Sequence, residues 1–219
     1  MKKIIILLGP PGSGKGTQAK IIATNHSYGH ISTGDLLRAL STRHDLDADE
    51  TKALREMSFG RLVPDWLIYK LAFAAADQYL NNNQGVVFDG AIRNISQAQV
   101  YQEYFFGKNL ATEVLALEVS LPDAQSFLRL TERKICRNCG AIFALASAPG
   151  GLCANCGGAL ISRADDNIDV VKKRIQEQGN AALEPLREFY KNQNAYSAVD
   201  GRATVDDVSR QIETVLAAT

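Results

Sequence analysis

Residues 4–17 read Ile4-Ile5-Ile6-Leu7-Leu8-Gly9-Pro10-Pro11-Gly12-Ser13-Gly14-Lys15-Gly16-Thr17, and this stretch decides the fold. The apolar run suits a strand that is buried on both faces, as in a parallel sheet. The glycines let backbone N–H groups turn inward around phosphate oxygens, and a helical pattern that starts at Lys15 adds the positive end of its dipole. The stretch therefore predicts a strand, a phosphate-binding loop and a helix in succession.

The loop differs in one detail from the commonest phosphate-loop pattern, in which Ser or Thr directly follows the lysine. Here Gly16 follows Lys15, and the hydroxyl arrives one residue later, at Thr17. An ordinary Gly-rich turn would not need the lysine, so phosphate binding is the favoured interpretation. The residues expected to hold ATP phosphates are Gly12, Ser13, Gly14, Lys15, Gly16 and Thr17.

Outside the loop, short β-rich runs alternate with helical patterns. Strands are predicted over 4–8, 86–88 and 114–119, with weaker candidates at 30–31 and 196–199. Helices are predicted over 15–24, 66–80, 96–106, 123–130, 169–192 and 206–216. This order indicates an α/β fold, a doubly wound parallel sheet with helices on both faces. Asp89 closes the run 86–88, and an acid at that strand end can organise Mg²⁺ and its waters, although Asp-Gly there also suits a simple turn.

Composition and charge exclude several classes of protein. The chain has 219 residues, 46% of them hydrophobic, which is enough for one large core. Its 24 basic and 24 acidic residues balance, so there is no basic excess for a nucleic-acid partner. No stretch approaches the roughly 20 apolar residues that span a bilayer, and no signal-peptide cleavage site follows residues 4–8. We expect a cytoplasmic protein without membrane or nucleic-acid partners.

Four cysteines fall in two Cys-x-x-Cys-Gly knuckles. This spacing predicts a structural, tetrahedral Zn²⁺ site, although the sequence does not distinguish zinc from iron. Disulfides are less consistent with a cytoplasmic chain, and a nucleic-acid ribbon would need more basic and aromatic residues than 141–152 provides. A segment so poor in large apolar residues needs a metal to fold. The proposed ligands are Cys136, Cys139, Cys153 and Cys156.

An ordered set of motifs resembles the nucleoside monophosphate kinases, and the adenylate kinases in particular. The resemblance covers nearly the whole chain. Its motifs are Gly14-Lys15-Gly16-Thr17-Gln18, Ile31-Ser32-Thr33-Gly34-Asp35-Leu36-Leu37-Arg38, Gly60-Arg61-Leu62-Val63-Pro64-Asp65, Asp89-Gly90 with Arg93, Gln97-Ala98-Gln99, Arg129 with Arg133, Arg163-Ala164-Asp165-Asp166, Arg174 and Val199-Asp200-Gly201.

The resemblance implies a monomer that transfers the γ-phosphoryl group reversibly from Mg·ATP to AMP, giving two ADP. It implies a core of residues 1–31, 64–128 and 167–219, a helical flap over AMP (residues 32–63) and a cysteine lid over ATP (residues 129–166). By the same analogy, Lys15, Asp89, Arg133, Arg163 and Arg174 are catalytic, and Arg129 stacks on the ATP adenine. The implied AMP-binding residues are Thr33, Arg38, Gly90, Arg93 and Gln97.

Two departures from the family pattern affect the acceptor site and the lid. Ala91-Ile92 stands where relatives carry Phe-Pro, so weaker acceptor binding or looser base discrimination is expected. Glu132 replaces a hinge glycine, which is expected to stiffen lid closure. Two alternatives stay open: a kinase for UMP or CMP, and a catalytically silent nucleotide-binding zinc-ribbon regulator.

Overall fold

A five-stranded parallel sheet forms the centre of the molecule. The computed structural model describes residues 1–58, 63–143, 150–163 and 166–219, with only the backbone of 56–58. The strands of the sheet are β1 (Ile4–Leu8), β2 (Gly29–Ser32), β3 (Val86–Asp89), β4 (Val114–Ser120) and β8 (Tyr196–Asp200). Their spatial order is β2-β3-β1-β4-β8, with β1 central. Each predicted strand is confirmed, and both weaker candidates belong to the sheet.

Helices cover both faces of this sheet, as predicted. The two flanking layers contain α1 (Lys15–His26) with α9 (Val205–Ala217), and α4 (Asp65–Leu80), α5 (Ile95–Gly107) and α8 (Asn180–Lys191). Alternate residues of β1 enter the two layers: Ile5 and Leu7 pack with α1 and α9, while Ile4 and Ile6 pack with α4, α5 and α8. A period of two residues explains this division.

The flap has its own small apolar cluster. It contains α2 (Thr33–Leu40) and α3 (Ala48–Ser58), which follow β2 and precede α4. Leu37, Leu40 and Ala53 pack on Leu67, which is fully buried and belongs to α4. Because further along its length α4 also packs on the sheet, this one helix joins the flap to the core.

The lid consists of a small antiparallel ribbon between α6 (Asp123–Thr131) and α7 (Ile168–Gln178). Its strands are β5 (Lys134–Cys136), β6 (Ile142–Phe143) and β7 (Leu160–Ile161), in the order β6-β5-β7. Ile142, Leu152 and Ile161 are largely exposed, so the described part of the lid has little apolar core.

One helix prediction was wrong, because the segment 169–192 contains two helices. The helix α7 ends at Gln178 and α8 begins at Asn180, with Gly179 between them. A Cβ at Gly179 would lie 2.4 Å from the Ile175 carbonyl oxygen and 2.9 Å from Asp123 Oδ1, so only glycine fits this close approach. Within the described ranges, no helix is both long enough and apolar enough to cross a membrane.

Candidate active site

The phosphate loop lies at the carboxyl end of the central strand, as the sequence predicts. It runs from the end of β1 to the first residue of α1, Lys15. The Ser126 hydroxyl on α6 donates a hydrogen bond to the Pro11 carbonyl, so the loop is held from the lid side. Gly201, just after β8, donates its backbone N–H to the Ser120 carbonyl at 2.8 Å, and a Cβ on it would lie 3.3 Å from the Ser13 carbonyl oxygen, so it lies against the other side of the loop. A helix N-terminus aimed at this loop favours bound anions.

The unusual Gly16 has a steric reason. Asp89 ends β3, next to the central strand, and its carboxylate faces the loop. A Cβ on residue 16 would lie only 3.0 Å from Asp89 Oδ2. Glycine at this position therefore lets the carboxylate approach the start of α1. This arrangement offers oxygen ligands of the kind that Mg²⁺ prefers.

Lys15 lies within a group of charged side chains. Its Nζ donates to the carbonyls of Gly9 at 2.6 Å and Pro10 at 2.9 Å. Burial lowers the pKa of Lys15 to about 8; the Asp89 charge opposes this shift, and the positive charges of Arg93 and Arg174 add to it. The charges of Arg93, Arg174, Asp89 and Glu118 therefore all act on Lys15 at the carboxyl end of the sheet.

Asp166 organises two of the predicted catalytic arginines. Its Oδ2 and Oδ1 accept hydrogen bonds from Arg133 at 2.8 and 2.6 Å, and Oδ1 also accepts from Arg174 Nη1 at 3.3 Å. The Asp166 side chain is 1% exposed, so this bidentate pair is strong. The Arg163 carbonyl accepts the Asp166 N–H at 3.2 Å, which places Arg163 beside the same cluster. Asp166 thereby ties the base of the lid to α7.

The residues predicted to bind the acceptor lie around the end of β3. The Thr33 hydroxyl donates to the Gly90 carbonyl at 3.0 Å, which joins the start of the flap to β3. Arg93 lies close to Arg174, and the pKa of Arg93 is lowered first by the surrounding protein atoms and then by the charge of Arg174. Arg38 is half-exposed on the flap and pairs with Asp35 at 2.5 Å.

Gln97 begins α5 and is almost completely buried. Its Oε1 accepts the Arg93 backbone N–H at 2.6 Å, and its Nε2 donates to Asp65 Oδ1 at 2.7 Å. Ala91 and Ile92 are 3% and 5% exposed and join the sheet core next to it. The residues that replace the expected Phe-Pro pair therefore contribute to the packing of the sheet core.

Arg129 projects from the last turn of α6 toward the end of the sheet. Its Nη2 donates to the Arg202 carbonyl at 3.4 Å, just beyond β8. Glu132, which follows α6, has φ −94° and ψ −7°, a right-handed conformation that any residue can adopt. The described conformation at residue 132 therefore does not require glycine.

A buried polar network behind the loop escaped the sequence analysis. Glu118, in β4, is 1% exposed, and Arg187 of α8 holds both of its oxygens at 2.8 and 2.7 Å. Arg187 also donates to Asn180 Oδ1 at 2.6 Å, and the Asn180 side chain donates to Asp123 Oδ1 at 2.8 Å. The network thus joins β4 to the starts of α6 and α8. A glutamate within an apolar strand was the signal that could have revealed it.

His30 lies close to Asp89, a proximity that the sequence spacing did not reveal. Its Nε2 lies 3.9 Å from Asp89 Oδ2, and this nitrogen has no hydrogen-bond partner within the described part of the chain. The sequence analysis assigned no role to the histidines. Because β2 and β3 are parallel neighbours, the pleat places His30 near the acid that faces the loop.

The four cysteines form one cluster, as their spacing predicts. Their Sγ atoms all lie within 4.8 Å of one another, with 3.4 Å between Cys136 and Cys156 and 3.6 Å between Cys139 and Cys153. These separations exceed an S–S bond of about 2.05 Å and are close to the ~3.8 Å edge of a tetrahedral thiolate site. The Cys139 N–H, followed by that of Asn138, lowers the pKa of Cys136 to about 6. The cluster can therefore hold a metal ion.

Part of two quoted motifs lies outside the described residues, namely Gly60, Arg61, Leu62, Ala164 and Asp165. Every predicted catalytic, nucleotide-binding and cysteine residue lies within the described ranges. The geometry brings together Lys15, Asp89, Arg93 and Arg174, and it links Arg133 to Arg174 through Asp166. It places Arg129 at the opposite, β8 side of the loop.

A phosphate loop at the central strand, an arginine cluster and two insertions define a nucleoside monophosphate kinase. The adenylate kinase family model matches residues 7–195, and the chain belongs to this family. An adenylate kinase of Clostridium acetobutylicum is 37% identical over 218 residues, covering 97% of this chain and 98% of the relative. An adenylate kinase of Elusimicrobium minutum is 38% identical, covering 95% and 96%. One of Thermodesulfovibrio yellowstonii is 34% identical, covering 97% and 98%.

Proposed function

We propose that the protein transfers the γ-phosphoryl group of Mg·ATP reversibly to AMP, giving two ADP. One observation carries this proposal: the Lys15 Nζ lies within the phosphate loop, the Asp89 carboxylate approaches the same loop at Gly16, and the charges of Arg93 and Arg174 act on the same lysine. Phosphoryl transfer depends on alignment and on neutralising charge, and this cluster supplies both. The relatives named as adenylate kinases support the same reaction.

The positions of these residues support the following roles. The loop residues 12–17 would bind the ATP phosphates, and Arg129 would contact the donor base beside β8. Arg133, Arg163 and Arg174 would surround the transferred group, with Asp166 aligning two of them. Arginine suits this task because its planar donors match phosphate oxygens.

The acceptor would bind between the flap and β3. Arg93 lies on the cation cluster and would hold the AMP phosphate, together with Arg38 once its pair with Asp35 opens. Thr33, Gly90 and Gln97 would line the remainder of the acceptor pocket. In this proposal residues 32–63 move as the flap and residues 129–166 as the lid.

Two metal ions are part of the proposal. Asp89 and the Thr17 hydroxyl would hold Mg²⁺, which would supply positive charge against the phosphates of bound ATP. The cysteine cluster would hold Zn²⁺, since four thiolates leave no open position for a catalytic water. Its role is therefore structural.

The test is ADP formation from Mg·ATP plus AMP, with ATP alone as the control. Product that requires both substrates supports the proposal, and Lys15→Ala should then abolish turnover. CMP, UMP and GMP replace AMP in parallel reactions, because Ala91-Ile92 motivates the alternative acceptors. Strong preference for a pyrimidine would overturn the AMP assignment, and nucleotide binding without any product would favour the silent regulator.

A further inference from the structure

The amide of Gln97 is bound by two protein groups that belong to different segments. Asp65 is the first residue of α4, and it lies 32 positions before Gln97 in the chain. It accepts a hydrogen bond from Gln97 Nε2 at 2.7 Å, while the Arg93 backbone N–H donates to Gln97 Oε1 at 2.6 Å. Both ends of the side-chain amide are therefore engaged within the protein.

These partners fix the direction of the amide. An ionised carboxylate only accepts hydrogen bonds, and a backbone N–H only donates. Reversing the Gln97 amide would place its oxygen against the Asp65 carboxylate and its NH₂ group against the Arg93 N–H. Both contacts would become repulsive and leave buried polar groups unpaired, which is costly. Gln97 is 6% exposed, so water offers it little compensation.

The fixed amide keeps one donor and one acceptor for a ligand. An amide has two N–H bonds and two carbonyl lone pairs, and the protein uses one of each. The remaining pair matches the edge of adenine, whose N6 amino group donates and whose N1 accepts. A 6-oxopurine presents the reverse pattern, with O6 as acceptor and N1–H as donor.

We propose that Asp65 is a positioning residue for base specificity, which holds Gln97 in the orientation that accepts adenine and rejects a 6-oxopurine. This inference rests on the proposed function, since Gln97 must face the acceptor base. A site built to make hydrogen bonds discriminates strongly because the wrong ligand leaves its polar groups unpaired. Asp65 contributes without touching the base itself.

A role in capping α5 would explain only one of the two side-chain contacts of Gln97. Asn94 caps α5 by accepting the Gln97 N–H at 2.8 Å, and Gln97 reaches back to the N–H of Arg93, one residue before the cap, in a variant of the capping box. Such a cap uses Oε1 alone. The Nε2 contact to a carboxylate on another helix is not needed for it.

The experiment compares kcat/KM for AMP and IMP, with Mg·ATP as donor, in the wild type and in Asp65→Asn. IMP differs from AMP only at the edge in question. We expect the wild type to prefer AMP, and Asp65→Asn to lower the AMP/IMP ratio about tenfold, because an asparagine can donate to a reversed Gln97 amide. The KM for ATP should be unchanged.

The matched control is Asn94→Ala, which weakens the start of α5 but leaves both side-chain contacts of Gln97 in place. It should lower the Tm and keep the wild-type AMP/IMP ratio. If Asp65→Asn does not fold, Asp65→Ser carries the same expectation, because its hydroxyl also donates and accepts.

The two proposals fail in different ways. A folded Asp65→Asn enzyme with the wild-type ratio would overturn the role of Asp65, and so would a wild type that uses IMP as well as AMP. A wild type that does not phosphorylate AMP would instead overturn the proposed function. In that case calorimetric binding of AMP and IMP to both proteins still tests the positioning role.

Discussion

The flap and the lid are both insertions in the same sheet, but different forces hold them together. The flap encloses apolar side chains, with Leu37, Leu40 and Ala53 packed on Leu67 of a core helix. The described part of the lid leaves Ile142, Leu152 and Ile161 exposed and gathers four thiols instead. Below a certain buried apolar area, a segment needs a metal or a cross-link to keep one structure.

The two insertions are also anchored to the core differently. The helix α6, which leads into the lid, begins at the buried network of Glu118, Arg187, Asn180 and Asp123. The flap is tied to α4 by Lys70, whose Nζ lies 3.7 Å from Asp47 Oδ2, and both of these side chains are about half exposed. A buried ion pair and a solvated one differ greatly in what their loss costs, so the comparison can be tested.

Removing the metal that we propose for the cysteine cluster should have the largest effect. Cys153→Ser, or chelation of the wild type, should disorder the lid because the folding of such ribbons depends on metal binding. We expect the KM for ATP to rise about tenfold or more, while far-UV circular dichroism of the core stays nearly constant. Hydrogen exchange followed by mass spectrometry should show lost protection in 129–143 and 150–163. Equal protection with and without metal would contradict the view that a metal, and not apolar packing, holds the lid together.

Breaking the buried ion pair between Arg187 and Glu118 should have the next largest effect. Arg187→Met leaves the Glu118 carboxylate buried without its partner, which should lower the free energy of unfolding by about 3–5 kcal/mol at pH 7. Chemical denaturation measures this change. The control is Arg210→Met, since Arg210 is 74% exposed in its pair with Asp207 and should matter little. Similar losses in both variants would show that burial of the anchor is unimportant.

The loss of stability in Arg187→Met should also depend on pH. Burial alone would raise the pKa of Glu118, but hydrogen bonds from Arg187 and Tyr196 lower it below the ordinary 4.5. A group with a depressed folded pKa contributes stability above its unfolded pKa, and this contribution is lost as pH falls through the folded pKa. The difference between wild type and Arg187→Met should therefore shrink below pH 4.5. A difference that is constant from pH 7 to pH 3 would exclude Glu118 as its source.

Truncating the apolar centre of the flap should cost somewhat less. Leu67→Ala should destabilise the protein by about 2–4 kcal/mol, because Leu67 is fully buried. The KM for AMP should rise while the KM for ATP stays near its wild-type value, the reverse of the lid variant. Leu128→Ala is the matched control, since Leu128 is 56% exposed on α6. Equal effects on both KM values would show that the flap does not act separately.

Removing the exposed anchor of the flap should have the smallest effect. Asp47→Asn removes the exposed charge beside Lys70 but preserves the shape of the side chain and its oxygen that accepts the Glu50 N–H. The Tm, measured by calorimetry, should change by no more than about 2 °C, because solvated pairs contribute little. A shift as large as that of Leu67→Ala would mean that the ion pair, and not the apolar cluster, holds the flap.

Local patterns in the sequence were enough to predict the central sheet and most helices. The run 4–8 became the central strand, because five apolar residues in succession suit burial on both faces. The prediction failed at Gly179, where a single predicted helix is two. That break depends on the Ile175 carbonyl and on Asp123, and the latter lies 56 positions earlier in the chain.

In the candidate site, too, some features could be predicted from local sequence and others depend on contacts between distant residues. The sequence by itself determined the phosphate loop, the cysteine knuckles and the acid at the end of β3, because each depends on spacing between near neighbours. Only the tertiary structure decided that Asp89 needs a glycine opposite it, that Asp166 joins Arg133 to Arg174, and that Arg187 neutralises Glu118. The physical reason is that hydrogen bonds and ion pairs act over a few ångströms, and only packing of the sheet and helices brings such distant residues within that range.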